Sequence, residues 1–175
     1  AAGGACPEIT SLLWYALRSV GLPVNYDYII QWANRSQSHS WNSLWVDSVL
    51  YSFGMSDPEF GKHFESRPQE RVGKVYRKMF SFQPQSLPNQ RGALAEGIPP
   101  AFRSPFIKDV SESYFDGIDL VLKLTIPIAA KKKFAYLVVF DNRNWVPVAW
   151  SRIKRGRVAF DHVEKGCAYM VMYYD

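Results

Sequence analysis

The chain has 175 residues, 47% of them hydrophobic, and a formal net charge of +5. That length holds one domain of ordinary size or two small ones, with ample apolar content for a core. The longest apolar runs fall far short of a membrane span, and the basic residues form only short clusters around 71–78, 131–133 and 152–157 with no nucleic-acid-binding motif, so membrane-spanning and nucleic-acid-binding classes are disfavoured.

From Pro7 onward, Ile9, Leu12, Leu13, Ala16, Leu17 and Val20 recur at intervals of three and four, which predicts an amphipathic helix. Cys6 caps it. Pro7 suits the first helical position, Glu8 lies in the turn where negative charge is favoured, and Gly21-Leu22-Pro23 ends the element. A thiol at such a terminus faces unpaired backbone N–H groups and the positive end of the helix dipole, which makes Cys6 a candidate nucleophile. The competing expectation is a buried, inert cysteine. The second cysteine, Cys167, leaves a Cys6 to Cys167 disulfide open if the chain is exported.

Ser38-His39-Ser40-Trp41 opens a strand-like run, and 42–46 and 49–53 read as two strands of a hairpin around Asp47-Ser48. With the turn centred on Ser48, Asp57 lies across from His39. Cysteine as nucleophile, histidine as proton carrier and a third polar group to orient the imidazole are the parts of covalent acyl transfer. Asp57 is the candidate orienter; Asn42 is a second, although it points to the opposite face from His39. There is no CxxC and no HxxxH, and the histidines at 39, 63 and 162 are widely separated, so neither a metal nor a cofactor is expected.

The run Gly3-Gly4-Ala5-Cys6-Pro7-Glu8 leading through Tyr15-Ala16-Leu17-Arg18-Ser19-Val20-Gly21-Leu22-Pro23-Val24, followed by Gln31-Trp32-Ala33-Asn34-Arg35-Ser36-Gln37-Ser38-His39-Ser40-Trp41-Asn42, resembles the core of the bacterial transglutaminase-like superfamily. Lys74-Val75-Tyr76-Arg77-Lys78-Met79-Phe80 resembles a phrase downstream of that core in large exported members. The resemblance covers roughly the first 80 residues. It implies a papain-like triad of Cys6, His39 and an Asp on the neighbouring strand, with Trp41 flanking the histidine and walling a substrate cleft. It also implies an exported, periplasmic or cell-surface setting and further helices ahead of the cysteine, so that the core here is expected to be N-terminally truncated. The family's Asp usually falls nearer Gly54 than Asp57.

Prolines and glycines crowd 83–106, which reads as a linker. Beyond it the pattern turns to β: Ile118, Leu120, Leu122, Leu124 and Ile126 alternate with polar residues, and further strands are predicted near 134–140, 145–150, 157–160 and 168–174, with turns at 141–144 and 154–156. The Lys131–Lys133 triplet is expected at a hairpin tip. The expected fold is therefore α+β: a truncated transglutaminase-like, papain-like core over 1–82, a linker over 83–106 and an antiparallel β-sandwich-like module over 107–175. The expected function is thiol-dependent acyl transfer, foremost hydrolysis of a peptide or isopeptide bond in a peptide or protein substrate through a thioester on Cys6. The alternative is a non-catalytic binding or scaffold module that takes a carbohydrate or protein partner.

Overall fold

A computed structural model describes residues 6–55, 57, 59–64, 68–125 and 132–174. The first described element is helix α1, Cys6–Ser19, which ends where a left-handed residue is needed. Gly21 supplies it with φ 88°, while Gly21 N–H donates to the Arg18 carbonyl and Leu22 N–H to that of Leu17, the paired bonds that close a helix C-terminus. The buried face is rotated from the expected stripe: Thr10 and Trp14 are buried, whereas Leu12 and Val20 are exposed. Thr10 is accommodated because its hydroxyl has hydrogen-bond partners on both sides, a condition for burying a polar group.

After α1 come β1 (Asn25–Ile29), β2 (His39–Val46) and β3 (Val49–Phe53), then β4 (Tyr76–Lys78) and β5 (Ile107–Asp109), joined in one sheet of order β3-β2-β1-β4-β5. Asp47 and Ser48 both take positive φ, 47° and 67°, the geometry of a two-residue hairpin turn matched to strand twist. Val46 therefore faces Val49 and Asn42 faces Phe53. This register sits one residue away from the one that would set Asp57 opposite His39, and side-chain faces alternate with each step.

The remaining strands are β6 (Ile118–Lys123), β7 (Phe134–Asp141), β8 (Asn144–Arg152), β9 (Arg157–Val163) and β10 (Met170–Met172). They form a three-stranded sheet, β10-β7-β8, and a two-stranded ribbon, β6-β9. Ile126 and Lys131 of the expected strand and hairpin tip lie outside the described residues.

The α+β expectation with a papain-like core is overturned. Among the described residues the only α-helices are α1 and the four-residue α2 (Ala93–Glu96), against ten strands whose pairings are all antiparallel. The reason is legible in residues 25–53. No segment there carries a helical apolar period, and Tyr26 and Tyr28 of β1 and Trp41 and Trp45 of β2 fit a pleated surface.

Residues 83–106 do more than connect. Leu87, Ala93, Ile98 and Phe102 are buried in one cluster with Tyr76 and Ile107 of the first sheet and Phe134, Tyr136 and Val138 of β7. The prolines set two short 3-10 turns, Leu87–Asn89 and Pro100–Phe102, that aim these side chains inward. No helix among the described residues is long and apolar enough to cross a membrane.

Candidate functional site

α1 packs across one face of the first sheet. Ser40 Oγ lies 3.1 Å from Thr10 Oγ1, and Asn42 Nδ2 donates to the Thr10 carbonyl at 3.2 Å. Since successive strand side chains point to opposite faces, His39 and Trp41 project from the other side of the sheet. There the His39 ring is flanked by Trp32 at 5.3 Å, Trp41 at 5.7 Å and His63 at 5.0 Å between centroids, the two imidazoles being within 5° of parallel.

The loop after β3 supplies the polar partners. Asp57 Oδ2 accepts the Gly54 N–H at 2.6 Å and lies 2.7 Å from His63 Nδ1. His63 Nε2 in turn lies 2.8 Å from His39 Nε2. His63 is brought back to the sheet by its own backbone, whose N–H donates to the Ser52 carbonyl. The side chains of His63 and Asp57 are 3% and 2% exposed, so this chain of contacts is sheltered from water except at the His39 end, which is half-buried.

Proton positions follow from donor and acceptor inventory. An ionised Asp57 only accepts, so His63 Nδ1 carries a proton and donates to it; neutral His63 then has a lone pair on Nε2, so His39 Nε2 carries the next proton. In neutral His39 the basic nitrogen is Nδ1. The carboxylate thus sets the tautomer of His39 through the intervening imidazole of His63.

Cys6 is the first residue of α1 and is exposed. Its carbonyl accepts from Thr10 Oγ1 at 2.8 Å, and the same hydroxyl meets Ser40, the neighbour of His39. The start of α1 is therefore pinned to the start of β2. Among the described residues Cys6 Sγ has no hydrogen-bond partner, and the Nε2 of His39 is engaged by His63 rather than by the thiol. Both cysteines are free. Cys167 is half-buried, and burial pushes its thiol above the ordinary range.

Trp41 is fully buried, so it backs the His39 ring instead of walling an open cleft. Its indole N–H donates to the Tyr114 hydroxyl at 3.0 Å. That hydroxyl donates to Asp27, which also receives two bonds from Arg77 at 2.7 Å and one from Ser43. Burial, with the Asp27 charge beside it, raises the Tyr114 phenol well above its usual range and keeps it a donor. Asn42, the other candidate orienter, faces α1 and bonds the Thr10 and Asn25 carbonyls.

His63 is the residue that sequence reading missed. Twenty-four positions separate it from His39. A cue was present in Gly54 and Gly61, which bracket a loop carrying Asp57 and returning to the hairpin at the Ser52–Lys62 bridge. His162 is held elsewhere, with Nε2 2.8 Å from the Phe115 carbonyl. Among the described residues no group of three or more His, Cys, Asp or Glu side chains is arranged to hold a metal ion. Comparisons of the chain with protein-family models, with curated proteins and with solved structures return no match.

Proposed function

We propose that the protein performs thiol-dependent acyl transfer on a peptide or isopeptide bond, with Cys6 as nucleophile and His39 as the base. The observation that carries this reading is the Asp57–His63–His39 chain, which prepares Nδ1 of His39 to take a proton. In the first step the Cys6 proton passes to His39 Nδ1 and Sγ attacks the carbonyl carbon. The tetrahedral intermediate collapses to a thioester as His39 returns the proton to the leaving amine. Water then attacks the thioester, giving its proton to His39, and the thiolate leaves and is reprotonated. The imidazolium formed in each half is stabilised by the Asp57 charge relayed through His63. Because α1 packs on the Ser40 and Asn42 face of the first sheet while the His39 ring projects from the other, the step requires Sγ to reach Nδ1 around the start of β2 and close to about 3 Å as substrate binds. The resemblance of the Cys6 and His39 segments to transglutaminase-like proteins supports the same chemistry.

Incubation with a peptide thioester followed by intact mass measurement tests it. An acyl adduct is expected on Cys6, absent in Cys6→Ala and strongly reduced in His39→Ala. Acylation that maps to Cys167, or that is indifferent to His39, would refute the reading. One observation favours the alternative of a non-catalytic binding module: the thiol makes no hydrogen bond among the described residues. Absence of any Cys6 adduct with a folded chain would decide for it.

A further inference from the structure

A cleft of about 560 Å³ opens where three edge strands converge: β5 of the first sheet, β8 of the three-stranded sheet and β9 of the ribbon. Its floor is apolar and aromatic, formed by Ile107, Trp150, Val158 and Phe160. Its rim carries Lys108, Lys154 and Arg157, and among the described residues none of these three side chains has a hydrogen-bond or ion-pair partner. Of the two carboxylates lining the cleft, Asp109 is already committed to the buried Lys74 at 2.6 Å; the other, Asp161, is exposed. The rim thus holds an excess of uncompensated positive charge above an apolar floor.

The backbone adds a second feature. Val110 N–H donates to the Val75 carbonyl and Met79 N–H to that of Phe106, so Phe106, Lys108 and Val110 turn their backbone groups toward β4. In an antiparallel ladder the alternate residues turn theirs away. The N–H and C=O groups of Ile107 and Asp109 therefore face outward at the cleft, where β5 has no strand beside it among the described residues. Such an edge is a template for one more strand.

We infer that this cleft binds an extended acidic peptide, which adds to the edge of β5, sets carboxylates against Lys108, Lys154 and Arg157, and drops an apolar side chain onto Trp150 and Phe160. The peptide class is favoured over an acidic sugar because the edge offers backbone donors and acceptors at strand spacing and the floor is apolar. The volume suits a few side chains, within the range of roughly 300–1,000 Å³ typical of ligand sites. The inference is independent of the thiol chemistry.

The test is fluorescence anisotropy of a labelled peptide of alternating glutamate and valine against the intact chain. Saturable binding is expected, weakened about tenfold or more by Lys154→Glu combined with Arg157→Glu, as for charged contacts that define a partner. Lys108→Glu, on a different strand, serves as an independent variant should the double one fail to fold. Methylating alternate backbone nitrogens of the peptide is expected to weaken binding to a similar degree, and replacing glutamate by lysine to abolish it. Unchanged binding of the methylated peptide, unchanged binding to folded charge-reversed variants, no binding of the peptide at millimolar concentration, or binding of an oligogalacturonate in its place would each overturn the inference.

Discussion

His39 and His63 face each other Nε2 to Nε2 at 2.8 Å, and one proton between two nitrogens locks the tautomers of the two rings together. With Asp57 on the far side of His63, the basic nitrogen of His39 is Nδ1. Long-range proton–nitrogen correlation spectra near pH 8 should therefore show His39 Nδ1 unprotonated. Asp57→Asn removes the charge that selects this arrangement and should mix the two tautomers. A His39 Nδ1 that is protonated in the unaltered chain contradicts the relay.

Behind the site, Asp27 is fully buried and receives bonds from Arg77, Ser43 and Tyr114. Arg77→Met strands that carboxylate without its cation. A loss of about 3–5 kcal/mol in denaturant unfolding is expected, the usual consequence of breaking a buried pair from one side. A change below about 1 kcal/mol, the size of an exposed pair, would mean that Asp27 is reached by water.

Phe102 is fully buried between the first sheet and β7 although it lies in the proline-rich stretch. Phe102→Ala should cost about 3–5 kcal/mol, as for a large aromatic removed from a core. A true linker position would tolerate the change within about 0.5 kcal/mol.

Local signals made much of the framework legible. The period of Ile9, Leu12, Leu13, Ala16, Leu17 and Val20 marks α1, although the face it buries is turned to Thr10 and Trp14; the alternation in 118–124 marks β6, and Asp47-Ser48 marks a hairpin turn. What escaped depends on contacts between distant segments. Leu87, Ile98 and Phe102 read as loop because prolines interrupt any period, yet burial needs only inward direction, which the 3-10 turns provide. His63 is marked only indirectly, by the glycines that bracket the loop before it; Asp57 reaches it through that loop and His39 through the sheet. The register of the hairpin is set by the two-residue turn, but Asp57 lies beyond the end of β3 and is placed by the loop that begins at Gly54, which no strand period announces.

Two groups give pH-dependent expectations. Burial pushes the Cys167 thiol up, so near pH 8 iodoacetamide should modify exposed Cys6 before Cys167, with Cys167 catching up only at distinctly higher pH. Peptide mapping of the alkylated chain reads this out, and equal rates near pH 8 would contradict it.

Burial also raises the Glu164 carboxyl, against the opposing effect of the Gly73 and Val72 N–H groups and Arg71. A carboxyl raised on folding favours the protonated folded form; that contribution is complete below its ordinary range and is lost as pH rises through the raised value. Glu164→Gln keeps an acceptor for the Gly73 N–H, 2.8 Å from Oε2. Its denaturation midpoint relative to the unaltered chain should therefore be higher near pH 7 than near pH 4. A relative midpoint that falls between those values would reverse the sign.

The most direct test of the central claim is the alkylation rate of Cys6 near pH 6, followed by mass spectrometry, in the unaltered chain and in His39→Ala. If His39 Nδ1 takes the Cys6 proton, the unaltered chain should react faster than a free thiol such as glutathione, Asp57→Asn should lose part of that advantage and His39→Ala all of it. Equal rates in the unaltered chain and His39→Ala, both matching glutathione, would show that the thiol and the histidine relay do not work together.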